Sequence, residues 1–195
     1  MTFSDFITSY DQPGAMILLE GKRMVRQEDK ARLFALGKQL AFFSKFMMFR
    51  SGNAPGADAF FSEGVAEIDP TRLQVITPYE GHRKKENKAH QTISLNQHML
   101  VAEPEVIYQT KAEKKYAAMV DAYIAGEKHP GAAKAAYLLR DTVKVLGTHG
   151  IPPATAALFY DDVAAPRQGG TGHTMAICAK NYIPYYDQST WFAWL

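Results

Sequence analysis

Two apolar runs in this chain each lead into a glycine-rich segment, and each segment opens a helical pattern. Phe46-Met47-Met48-Phe49-Arg50 runs straight into Ser51-Gly52-Asn53-Ala54-Pro55-Gly56-Ala57-Asp58. Residues 155–160, with Ala156, Ala157, Leu158 and Phe159, precede Gly169-Gly170-Thr171-Gly172-His173-Thr174. A short continuous apolar run reads as a strand buried on both faces. Strand, glycine turn and helix in succession restrict the chain to parallel α/β architectures. Backbone N–H groups at a helix N-terminus attract anions, and glycine lets an anion come close. The pair therefore reads as a two-part cradle for a phosphorylated ligand, or as two tight turns that need glycine for their backbone.

The remaining pattern supports this fold class. Residues 15–19 read as strand one, 28–44 as a helix, 46–50 as strand two, 57–68 as a helix and 72–77 as strand three. Residues 79–150 are richer in charge, with helical patches at about 112–125 and 132–147 divided by His129-Pro130-Gly131. Strand four follows at 155–160, a helix at 174–180 and a last strand at 182–186. The expected fold is a Rossmann-like parallel sheet with helices on both faces and a helical insert, 79–150, between strands three and four. The 195 residues are expected to form a single nucleotide-binding domain of that kind. The aromatic tail from Trp191 is expected to pack on the body or to contact a second copy.

Composition excludes several function classes. A net charge of +2 is low for a free-standing nucleic-acid binder. The runs Lys84–Lys88 and Lys111–Lys115 suit either nucleic acid or a solvated face. The single cysteine, Cys178, forms no internal disulfide and is expected to be buried and inert. The histidines show no metal-ligand spacing, so no metal and no resident cofactor are expected. No apolar run approaches the ~20 residues of a membrane span. Residues 1–10 lack a basic segment followed by an apolar core, so no signal peptide, no membrane partner and a cytoplasmic location are expected.

Within the first segment, Ser51 offers a hydroxyl, and the amides of Gly52, Asn53, Gly56, Ala57 and Asp58 offer donors. The Asp58 carboxylate suits a ribose hydroxyl or a helix cap. Within the second, Gly169, Gly170, Thr171 and Gly172 supply amides, and Thr171 and Thr174 supply hydroxyls. His173 suits a phosphate donor, an acid–base group or a packed side chain. Gly21, Lys22 and Arg23 follow strand one, where the two cations suit a phosphate or a solvated turn. Arg140 and Asp141 suit local pairing, or Arg140 reaches the ligand. Tyr79 and Tyr108 offer faces for a base.

These segments resemble one superfamily. Gly21-Lys22-Arg23 resembles its Gly-Ser-Arg turn. Arg50 to Asp58 resembles its Ser-Gly-Gly-Ala-x-Gly-Ala-Asp signature, and Gly169-Gly170-Thr171-Gly172 resembles its Gly-Gly-Thr-Gly segment. Together they look like the SLOG superfamily, which joins DNA-processing protein A to the Lonely Guy (lysine decarboxylase-like) proteins. The likeness spans about residues 15–187. It is nearest to small phage and prophage members with a helical insert ending in a pattern like His129-Pro130, Leu139-Arg140-Asp141 and Val145-Leu146-Gly147. The resemblance implies a Rossmann-like fold that binds nucleotides or their derivatives, as a sensor or binding module, and dimers recur in it. In the Lonely Guy motif a glutamate helps to cleave an N-glycosidic bond. Ala176 stands at that position here, Gln168 at the motif's proline and His173 at its threonine, which argues for binding over turnover. One alternative is a nucleotide hydrolase using His173, Asp58 or Glu80. The other is a single-stranded DNA-binding accessory, as DNA-processing protein A implies, although the chain lacks its long C-terminal extension.

Overall fold

A computed structural model describes residues 1–195 of the protein. Helix α1 (Phe3–Tyr10) leads to β1 (Met16–Gly21), α2 (Lys30–Phe43), β2 (Met48–Ser51), α3 (Ala57–Ile68) and β3 (Leu73–Thr77). Then come β4 (Gln91–Ser94) and the helices α4 (Gln97–Val101), α5 (Pro104–Thr110), α6 (Lys114–Ile124) and α7 (Ala132–Leu146). The chain closes with β5 (Ala156–Tyr160), α8 (Gly169–Lys180), β6 (Tyr185–Asp187) and α9 (Gln188–Trp191). The six strands form one sheet in the order β4-β3-β2-β1-β5-β6, and every neighbouring pair is parallel. The fold is thus the expected Rossmann-like α/β class. No helix is long and apolar enough to cross a membrane.

Side chains alternate across the sheet, and the two faces differ. Ile17, Leu19, Phe49, Leu73 and Leu158 point to the face covered by α1, α2, α3 and the C-terminal aromatics. Trp191 is fully buried there and donates its indole N–H to the Phe159 carbonyl at 3.0 Å, so the tail belongs to the core. Leu18, Ala157 and Phe159 point the other way, toward α7 and α8. On that second face β1, β2 and β3 carry Glu20, Arg50 and Gln74, all buried. An apolar strand pattern hides this polar row, because each strand contributes only one member.

Two expectations need correction. The 79–150 segment is not purely helical, since it contains the edge strand β4, paired with β3. Gln91-Thr92-Ile93-Ser94 is half-exposed and has one apolar residue, so it lacks the signature of a buried strand. The segment 155–160 is accordingly the fifth strand in sequence. The second glycine segment is also not a loop, because Gly169–Thr174 form the first turns of α8. Glycine is a poor helix former, and tertiary contact decides the matter here. A Cβ on Gly172 would collide with the backbone of Arg167.

Candidate functional site

The chain runs outward from β1 through β2, β3 and β4, then returns to the other side of β1 as β5. Ligands of open parallel sheets bind where strand order reverses, at the carboxyl ends of the strands. At that end lies a cleft of about 680 Å³ between the β1 loop, the start of α8 and one face of α7. Its volume is in the ordinary range for small-molecule sites, ~300–1,000 Å³.

The first glycine segment is an anion cradle that the protein fills itself. The Asp58 carboxylate accepts from the amides of Gly21 and Gly52, each at 3.1 Å, and of Ala54 at 3.4 Å. The Ser51 hydroxyl lies 3.5 Å from it and takes the Asn53 amide at 3.3 Å. The Ala57 amide donates to the Lys22 carbonyl at 3.0 Å. Asn53, with a φ of 54°, uses its side-chain amide to hold the carbonyls of His82 and Arg83. Gly52 is needed for space, since a Cβ there would stand 2.7 Å from Arg140 Nη1. Gly56 has a φ of 87°, in the left-handed region that favours glycine. The amides of Gly52, Asn53, Ala54 and Ala57 are thus committed internally, and Asp58 holds this turn from the second position of α3 rather than capping the helix, whose cap residue Gly56 has no side-chain cap bond.

The second glycine segment is open. The cap residue Gln168 makes no side-chain capping bond, and the amides of Gly169, Gly170 and Thr171 have no acceptor within the protein. A helix start leaves such donors free, with the dipole adding partial positive charge. Lys22 sets the height of this turn by donating to the Gln168 carbonyl at 2.8 Å, with Asp161 3.4 Å from its Nζ. Arg23 is exposed at the cleft mouth, its guanidinium 5.9 Å from the Tyr137 ring.

The floor and far wall come from α7. Lys134, Tyr137, Arg140 and Asp141 line the cleft at helical spacing, and Lys144 lies one turn on, fully buried. Lys144 Nζ is 2.7 Å from Glu20 Oε2 and 2.9 Å from Asp141 Oδ1. The other Glu20 oxygen accepts from the Thr174 hydroxyl at 2.9 Å. Arg140 donates to Asp141 Oδ1 through Nε and Nη2, and to the Gly52 carbonyl at 2.7 Å. Arg50 reaches up from β2, donating to the Gln74 side chain and the Lys144 carbonyl. Burial lifts the Glu20 carboxyl to about 7 against the pull of Lys144, and Asp141 and Asp58 push it further. Burial also works against the Asp141 anion, but Arg140 and Lys144 overcome it and hold that carboxyl below its usual range. Burial alone lowers Arg50 to about 10.

Of the residues read as ligand-binding, Gly21, Lys22, Arg23, Asp58, Gly169, Gly170 and Thr171 line the cleft. Gly172 and His173 line a neighbouring cavity of about 430 Å³ on the far side of the α8 start, together with Ala176. Ser51, Gly52, Asn53, Gly56, Ala57 and Thr174 line neither. His173 is buried, sharing a hydrogen bond with Thr142 at 3.1 Å, and Glu113 lies 3.8 Å from its Nδ1. Burial lowers its pKa against the pull of Asp141 and Glu113, which favours the neutral imidazole. Glu80 is exposed beyond β3. The three acid–base candidates His173, Asp58 and Glu80 therefore do not converge on one point.

Sequence reasoning missed Glu20, Lys144, Lys134, Tyr137 and Tyr116 and weighed Asp141 only as a local partner of Arg140. Two signals could have found most of them. Glu20 is a charge ending an apolar run, as Arg50 is, and 134, 137, 140, 141 and 144 share a helix face. Cys178 is buried as expected, with burial pushing its thiol up to about 12. The second lysine run is partly paired, Lys111 with Asp121 and Lys115 with Glu113.

No protein-family model and no curated protein matches this chain. Among solved structures it is similar to DNA processing protein A from Helicobacter pylori, in a structure reported for its single-stranded DNA binding mode. The TM-score is 0.53 at 14% identity, over 92% of this chain and 67% of that one. At that identity the likeness shows the fold alone, so what the chain shares with DNA processing protein A is the Rossmann-like α/β architecture that carries the cleft.

Proposed function

We propose that the cleft binds a nucleotide or nucleotide-derived ligand, and that the protein acts as a binding module or sensor of the SLOG kind. The observation that carries this reading is the uncommitted amide set of Gly169, Gly170 and Thr171, facing a tyrosine across a cleft of nucleotide size. A phosphate on those amides has Lys22 and Arg23 nearby, and a base has the Tyr137 ring, which is flanked by Arg23 and Arg140. Binding is favoured over turnover because Ala176 stands where the Lonely Guy motif has its glutamate. Calorimetric titration of the intact protein with nucleoside mono-, di- and triphosphates tests this. Saturable binding that weakens on Arg23→Ala and Tyr137→Ala supports the reading. A folded protein that takes up no phosphorylated nucleoside overturns it.

A second reading has its own support. The fold neighbour binds single-stranded DNA, and here the wall formed by Arg23, Ala54 and Tyr137 is shared with a groove that continues to Tyr79, His82 and Arg83. Stacking faces alternating with cations suit a single strand. Gel-shift titration at about 50 and 200 mM salt distinguishes this reading, since phosphate contacts make affinity fall steeply with salt. Absence of a shift at the lower salt removes it.

A further inference from the structure

The cleft has an uncommitted acceptor as well as uncommitted donors. Asp141 is 3% exposed, and its carboxylate is unequally used. Oδ1 holds Arg140 at 2.8 and 3.1 Å and Lys144 at 2.9 Å. Oδ2 accepts no hydrogen bond within the protein. It lies 3.1 Å from the position a Cβ would take on Gly170, and glycine there leaves it uncovered. An ionised carboxylate only accepts, with room for about four bonds, so Oδ2, open to the cleft, is free to take a donor from water or from a ligand that displaces it. Among the other acids of the cleft, only the solvent-exposed Asp162 also keeps a free oxygen. Asp58 is filled by backbone amides, both Glu20 oxygens are taken by Lys144 and Thr174, and the exposed Asp162 caps its own turn through the Ala164 amide.

The position of Oδ2 limits the chemistry of that donor. It sits beside Gly170, whose amide belongs to the proposed phosphate seat. A bare carboxylate next to a phosphate is repulsive unless a neutral donor lies between them. In a nucleotide the sugar is the part joined directly to the phosphate, and its hydroxyls are the neutral donors within reach. The amino groups of the base lie at the far end of the molecule, toward Tyr137. Resting on the nucleotide reading above, we infer that Asp141 is a specificity residue that accepts a hydrogen bond from a ribose hydroxyl, which makes the preferred ligand a ribonucleotide. Deoxyribose leaves fewer donors for this oxygen once the ligand covers it, and the penalty falls on the complex.

The test is calorimetry on the intact wild-type protein with adenosine, guanosine, cytidine and uridine 5′-monophosphates, each beside its 2′-deoxy and 3′-deoxy counterparts. At least one ribonucleotide is expected to bind, and removing one of its two ribose hydroxyls is expected to weaken binding about 10- to 100-fold. Asp141→Asn is then expected to narrow the gap between the ribonucleotide and that deoxy form, whatever it does to the affinity of both. Equal affinity for the ribonucleotide and both deoxy forms overturns the sugar assignment and leaves nucleotide binding standing. Failure of every nucleotide to bind overturns both. The wild-type series decides the matter even where the variant does not fold.

Discussion

The ammonium of Lys144 sits between the carboxylates of Glu20 and Asp141 with none of its surface exposed, and Arg140 closes the row from the cleft side. Burial disfavours the charged lysine, but the two carboxylates overcome this and raise its pKa. Removing one member of such a set strands the others without a counter-charge. Lys144→Met is accordingly expected to lower stability by about 3–5 kcal/mol in a denaturant titration, the range for a broken buried pair. A loss below about 1 kcal/mol would show that the set is solvated. Glu20 gives the network a pH signature. Its folded-state value of about 7 lies above its ordinary 4.5, so the folded protein holds that proton more tightly than the unfolded chain does. The stabilisation is complete below about 4.5 and is lost as pH rises through about 7. Melting temperatures measured between about pH 5 and 8 should therefore fall across this window, and Glu20→Gln should remove that component. A wild-type profile unchanged by the substitution contradicts the assignment. Asp141, held low, acts in the opposite sense and loses its contribution only in acid.

Elements were legible in the sequence where burial leaves a pattern, and illegible where neighbours set the structure. Strands β1, β2, β3 and β5 read directly as apolar runs because helices cover both sheet faces. Strand β4 did not, because an edge strand keeps polar residues. The start of α8 did not either, because consecutive glycines signal a turn until the packing beneath them is known. In Ser51–Asp58 the amides of Gly52 and Ala54 hold the chain's own Asp58, a partner only the fold reveals. The α2–α3 contact was equally hidden. Gly37 lies against the backbone of Phe61 and Gly64 against that of Phe34, so the two helix backbones touch. Gly64→Ala is expected to push them apart and to cost about 1–3 kcal/mol by the same denaturant measurement. A neutral effect would mean that the helices separate freely.

The whole molecule joins two halves of the sheet around β1. The outgoing half, β1 to β4, delivers a glycine segment that folds round Asp58 and becomes part of the scaffold. The returning half delivers α8, whose first amides remain uncommitted, and α7 lays a charged and aromatic face across the gap. The two glycine segments look alike in the sequence and differ in work, one structural and one facing the cleft. Backbone amide NMR separates them directly. Titration with a ribonucleoside 5′-monophosphate is predicted to shift the amide signals of Gly169, Gly170 and Thr171 while those of Gly52 and Asn53, committed to Asp58 and Ser51 outside the cleft, stay in place. Shifts confined to Gly52–Ala54, or no shift at the start of α8 at saturating nucleotide, would contradict the account.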